Sequence, residues 1–190
     1  GYSGIVGVNI GKNKITPNAE ALDDYMKGLR SFYNIADYIA VNVSSPNTSG
    51  LRELQSPEYA RKLISPLMKE RDLLSHQYEK IVPIAVKLDP DMQRDQIMAL
   101  AELFLELKID AVIATNTTVS RDKVQDHNLS QELGGLSGKP LHSQSNDAIH
   151  NFKNSLNDEI PIIGVGGILS KKDAEEKIEE IGRASCRERV

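Results

Sequence analysis

The side chains most able to do chemistry crowd into AVNVSSPNTSGLREL, residues 40–54. Asn42 and Asn47 carry amides that donate and accept hydrogen bonds, and Ser45 carries a hydroxyl beside Pro46, whose ring restricts the local backbone. The cluster follows directly on an apolar run, Tyr38 to Val43, that reads as a strand. Polar residues just past a strand's C-terminal end are where parallel α/β proteins build their sites, so chemistry is expected here. The same composition also describes an ordinary turn.

Lys87 closes another apolar run, PIAVK, so its stem is expected inside and its ammonium at the strand's end. An unpaired buried charge is costly. An anionic ligand or a reduced flavin would supply the partner, and so would a salt bridge to a nearby acid. Asp89 and Asp91 flank Pro90, where they read as caps rather than metal ligands, because hard cations take six or more oxygens. His76, His127, His142 and His150 read as surface residues without ligand spacing, so they receive no role and no metal site is expected.

The elements that must hold these groups repeat one unit. Strands are predicted over Ile5 to Asn9, Tyr38 to Val43, Val82 to Lys87, Ala111 to Thr115 and Pro161 to Val165. Amphipathic helices separate them. The first runs from about Asn18 to Ile35, with Leu22, Tyr25, Met26, Leu29, Phe32 and Tyr33 at helical spacing. Ser56-Pro57-Glu58 opens the second as cap, first-turn proline and acid, and Pro66 is expected to kink or split it. The stretch from Val119 to Ser145 exceeds an ordinary βα loop and includes GGLSGKPL, whose glycines would let backbone N–H groups approach a ligand. The last strand ends in GVGGI, followed by Ser170 and Asp173 in the pattern of a capping box. Such glycine turns are also common as purely structural features.

Apolar strands alternating with amphipathic helices imply an α/β fold with a parallel sheet covered by helices. Every strand ends in polar or glycine residues: Asn9, Asn42, Lys87, Thr115-Asn116-Thr117 and Gly166-Gly167. An open sheet concentrates its site at one switch point, whereas a (β/α)8 barrel gathers groups from many strand ends. The expectation is a partial TIM barrel, since closure takes eight strands and about 250 residues.

The chain has 190 residues, 39% of them hydrophobic, enough for one sizeable core. It carries a net charge of -4 with Lys and Arg scattered among acids, which argues against a nucleic-acid partner. No apolar run approaches a membrane span, and no basic-then-apolar leader opens the chain. Residues 181–190, IGRASCRERV, break the preceding amphipathic pattern and resemble translated sequencing adapter, so they are read as a non-native tail to a domain spanning residues 1–180. The tail holds the only cysteine, Cys186. Without it, disulfides, zinc–cysteine sites and a cysteine nucleophile are all excluded.

Taken together, GVNIGKN, IAVNVSSPNTSGLREL, VPIAVKLDPD, VIATNTT, GGLSGKPL and PIIGVGGI resemble class 2 dihydroorotate dehydrogenase, the quinone-dependent flavoenzyme of pyrimidine synthesis. The likeness runs from Gly4 to about Glu180, with each motif at a strand end. It implies a (β/α)8 barrel in which the strands here are the third to seventh. It implies FMN as cofactor, dihydroorotate and orotate as ligands, and quinone as final acceptor.

By that resemblance Ser45 is the catalytic base. Asn9, Asn42, Lys87, Thr115, Gly138 and Gly167 are implied FMN contacts, and Asn42, Asn47, Asn116 and Thr117 are implied to hold the substrate. Class 1 enzymes and dihydrouridine-synthase relatives would show cysteine at or near the Ser45 position. A non-catalytic flavin-binding protein is a further alternative, disfavoured by the presence of both Ser45 and Lys87. The family's N-terminal membrane and quinone module, its first two strands and its last strand have no counterpart among these motifs. Quinone use, and peripheral attachment to the cytoplasmic side of a bacterial inner membrane, are therefore implied by the class alone.

Overall fold

The computed structural model describes residues 3–182; most of the expected non-native tail, including Cys186, lies outside the described residues. Five parallel strands form one sheet: β1 (Gly7–Ile10), β2 (Tyr38–Asn42), β3 (Ile84–Leu88), β4 (Ala111–Ala114) and β5 (Ile162–Gly164). Their spatial order is their sequence order. A doubly wound sheet reverses order at a switch point, so the uninterrupted order marks an arc of a barrel. The helices are α1 (Ala21–Phe32), α2 (Pro57–Tyr78), α3 (Arg94–Leu107), α4 (His142–Leu156) and α5 (Lys171–Ile181), each packed on the next. None of the described helices is long and apolar enough to cross a membrane.

Side chains alternate across a strand, and here the two faces differ in kind. Ile39, Val41, Ile84, Val86, Leu88, Val112 and Ile162 join Tyr25, Leu29, Leu67, Phe104 and Phe152 of the helices in the main core. The opposite face carries a separate cluster of small residues, Ala40, Ala85 and Ala111 with Ile113. Ala40 is the register partner of Ala85, and Ala85 of Ala111, so three alanines lie side by side across neighbouring strands. That face becomes the inside of a closed barrel.

Several expectations shift. The first strand starts at Gly7 rather than Ile5, which is 79% exposed. The first helix breaks earlier than Ile35, with a 3-10 turn at Asn18–Glu20 and an α-helix ending at Phe32. Pro66 does not split α2, which continues for 22 residues. A mid-helix proline costs about 3 kcal/mol, but Leu63, Ile64, Leu67 and Met68 are buried on both sides of it, and their packing exceeds that cost. The Ser56 cap is present, with its hydroxyl accepting from Tyr59 N–H. The long segment after β4 ends sooner than Ser145: a 3-10 turn at Lys139–Leu141 leads into α4 at His142.

Candidate functional site

The site begins with register. Asn42 and Lys87 are partners at the ends of β2 and β3, so both project from the inner face one row above the alanines. Asn9 pairs with Ala40 and lies in the alanine row itself. The row beneath Asn42 and Lys87 is thus made of small buried side chains, with Tyr38 packed against it. Asn42 is held from the helix side, because Tyr25 Oη donates to its carbonyl at 2.7 Å. Burial pushes the Tyr25 phenol well above its ordinary value, which keeps it a donor.

Ser44 connects three strand ends. It is fully buried, donates its hydroxyl proton to the Lys87 carbonyl at 2.7 Å, and accepts from Asn116 Nδ2 at 3.0 Å. Asn42 Oδ1 accepts from the same Asn116 amide at 3.2 Å and from the Ser44 backbone N–H at 3.3 Å. Asn116 Oδ1 in turn accepts from Thr117 N–H at 2.8 Å. The ladder itself continues past β4 and β5, where Thr115 N–H meets the Val165 carbonyl at 2.8 Å and Val165 N–H meets Ala114 at 2.7 Å. The strand ends are thus rigid where polar groups emerge.

Ser45, the next residue, is half-buried, and its hydroxyl accepts from Asn47 N–H at 3.3 Å. Among the described residues no side chain accepts the Ser45 proton, and no histidine touches it. Lys87 is half-buried and has no carboxylate within ion-pair range among the described residues, so of the two partners open from the sequence the salt bridge is not formed. Thr115 Oγ1 is buried without a hydrogen-bond partner among the described residues. Gly138 has φ of 76° and open space where a Cβ would stand. An unpaired cation, an orphaned hydroxyl and an open glycine backbone fit a flat anionic cofactor such as FMN.

The glycines divide by role. A Cβ on Gly135 would fall 1.8 Å from Thr117 Oγ1 and 3.0 Å from Pro46 Cγ, and one on Gly134 would fall 3.3 Å from Asn47 Oδ1. The long segment therefore lies directly on Asn47 and Thr117 and covers the loop that carries Ser45. Gly166 and Gly167 serve packing: a Cβ on Gly167 would fall 2.6 Å from His142 Cα. The Ser170 hydroxyl accepts from Asp173 N–H at 3.2 Å, but the Asp173 carboxylate turns to Leu169 N–H at 3.0 Å, so the box closes one residue early.

Asp89 and Asp91 belong to a brace around Arg52. The guanidinium donates to Asp91 at 2.7 Å, to the Thr117 carbonyl at 2.9 Å and to the Ser44 carbonyl at 3.3 Å. Asp89 is buried against Gln55, whose Nε2 donates to it at 2.5 Å. Burial pushes the Asp89 carboxyl up. Burial also opposes ionisation of Asp91, but hydrogen bonds from Thr118, Val119 and Arg52 together outweigh it and hold that carboxyl below its usual range. Ser44 and Arg52 are the site residues that the sequence reading misses; their partners lie 43 and 39 residues away, with no local signal. His142, expected at the surface, is instead buried at the start of α4.

A dihydroorotate dehydrogenase family model matches residues 2–185. The chain is 49% identical over 177 residues to a dihydroorotate dehydrogenase (quinone) of Methylobacillus flagellatus, covering 93% of this chain and 52% of that one. It is 47% identical over 178 residues to the enzyme so named from Haemophilus influenzae, with 94% and 52% covered. A crystal structure of dihydroorotate dehydrogenase from Eimeria tenella in complex with ferulenol superposes with a TM-score of 0.86 at 33% identity, over 95% of this chain and 53% of that one. The ligand-free form from the same organism gives 0.85 at 34%. The chain spans about half the length of the curated relatives it matches.

Proposed function

The chain belongs to the dihydroorotate dehydrogenase family, and on that premise we propose that it supplies the substrate-activating part of an enzyme that oxidises dihydroorotate to orotate in pyrimidine synthesis, with quinone as final acceptor. The observation that carries this reading is the joined cluster of Asn42, Ser44 and Asn116 beside a Lys87 that has no carboxylate partner among the described residues. It combines fixed amides for a polar ring with a cation for developing negative charge.

The reaction removes a proton from C5 and a hydride from C6, so that a C5=C6 double bond forms. FMN, when bound, supplies the hydride acceptor. Ser45 takes the C5 proton and passes its own to solvent, which its half-buried position allows. A serine hydroxyl is a weak base, so its rate depends on that relay. Asn42, Asn47, Asn116 and Thr117 orient the substrate ring, with the Asn116 amide already fixed by Ser44. Asn9, Asn42, Lys87, Thr115 and Gly138 would hold FMN, with the Lys87 ammonium offering a partner to negative charge, and Gly167, packed on His142, would contribute only its backbone. Quinone reduction and peripheral attachment to a membrane, which the class implies, are assigned by this reading to sequence beyond the half of the relatives that the chain spans.

Ser45→Ala in the protein with its flanking sequence restored is expected to slow flavin reduction by dihydroorotate about 10²- to 10⁴-fold in single turnover, with FMN content unchanged. A wild-type reduction rate would remove Ser45 from the role of base.

A further inference from the structure

His142 stands apart from the chemistry above. It is 8% exposed, and its Nε2 is buried with no hydrogen-bond partner among the described residues. Facing that nitrogen are Glu176 Oε2 at 3.5 Å and Asp173 Oδ1 at 3.7 Å, both from α5. All three candidate ligand atoms lie within 4.8 Å of one another. A buried ring nitrogen left without a hydrogen bond is costly, so one aimed at two carboxylates calls for a partner.

We propose that His142, Asp173 and Glu176 form a site for a divalent transition-metal ion of the zinc class, clamping the start of α4 to the first turns of α5. Ligand bonds of about 2.0–2.1 Å around a tetrahedral ion set its ligand atoms about 3.3 Å apart. The carboxylate oxygens stand 3.5 and 3.7 Å from Nε2, close to that spacing, and the two carboxylates draw together from a separation of at most 4.8 Å. One imidazole with two carboxylates balances a divalent charge and leaves the fourth position to water. The mixed nitrogen and oxygen set suits zinc and its neighbours better than calcium or magnesium, which take oxygen alone.

Two features prepare the site. Asp173 is fixed by Leu169 N–H on Oδ2 at 3.0 Å, which orients Oδ1 toward His142. Asp173 and Glu176 sit three residues apart on α5, one above the other on a single face. One cation competes: Lys139 Nζ donates to Asp173 Oδ1 at 2.7 Å. Its side chain is 64% exposed, so it can swing into solvent when a metal binds. The site lies directly behind the Gly166-Gly167 turn, because Gly167 packs on His142 Cα. Metal binding would therefore stiffen that turn. The proposal does not depend on the reaction assigned to the barrel mouth.

The test uses the full-length protein, stripped with a chelator and titrated with zinc chloride by calorimetry. One zinc per chain is expected, with affinity lowered at least about 10- to 100-fold in both His142→Ala and Glu176→Gln. Glu176 is partly exposed, so its variant remains informative where loss of the buried imidazole impairs folding. Lys139→Met is expected to bind more tightly than wild type, and His150→Ala, at the separate pair with Glu180, to bind unchanged. A simple ion pair between a protonated His142 and the two acids predicts no stoichiometric zinc at all. That result overturns the proposal, as does equal affinity in wild type, His142→Ala and Glu176→Gln.

Discussion

Ser44 and Ser45 are neighbours in sequence with opposite structural situations, and substituting each by alanine separates folding from chemistry. Ser44→Ala deletes the donor to the Lys87 carbonyl at 2.7 Å and an acceptor for the Asn116 amide at 3.0 Å, at a position that is fully buried. A buried group left unpaired costs about 1–3 kcal/mol. The Lys87 carbonyl loses its side-chain partner outright. Asn116 keeps a second acceptor, Asn42 Oδ1 at 3.2 Å, so its loss is partial. The expected destabilisation is about 2–3 kcal/mol, a large share of a typical net stability of about 5–15 kcal/mol. Ser45→Ala removes only a long contact from Asn47 N–H at 3.3 Å at a half-buried position, so its cost is expected within about 0.5 kcal/mol. Urea unfolding of the full-length protein and both variants measures this, with unchanged m-values required for the comparison. Ser44→Ala unfolding within about 0.5 kcal/mol of wild type, or Ser45→Ala proving the less stable of the two, would refute the reasoning.

Lys87→Met keeps the buried stem and removes the charge; it is expected to weaken FMN binding and slow flavin reduction, and full occupancy with an unchanged rate would rule out the electrostatic role. Asp91, held below its usual range, contributes stability that is present above its unfolded value of about 3.9 and is lost as pH falls through its lowered folded value. Asp91→Asn is therefore expected to flatten the loss of stability on acidification below about pH 4, and an unaltered pH slope in urea unfolding would contradict the brace. Residues 1–180 expressed alone are expected to be poorly soluble and colourless, because β1 and β5 each have a strand on one side only and Ile163, Val165 and Leu169 are exposed. Soluble, cooperatively unfolding, yellow protein would overturn that expectation.

The sequence by itself determined the repeating unit and the strand ends. Apolar runs of four or five residues bounded by polar ones locate β2, β3 and β4 to within two residues, because a strand buried on both faces leaves no freedom of composition. The Ser56-Pro57 start of α2 is a local signal and was legible for that reason. Asn42, Lys87 and Asn116 stand out in the sequence as polar residues at the ends of apolar runs, and the fold brings them together at one edge of the sheet. Tertiary structure decided the rest, through contacts between residues far apart in the chain. Which of two adjacent serines is buried depends on the β3 carbonyl and the Asn116 amide that meet it. Arg52 and Asp91 acquire a role only when three strand ends are brought side by side. Pro66 reads as a break until the packing of α2 against the core outweighs it. His142 reads as a surface residue until α5 brings two carboxylates to it, 31 and 34 residues further along the chain. Pairings of that kind depend on distances in space that spacing along the chain does not encode.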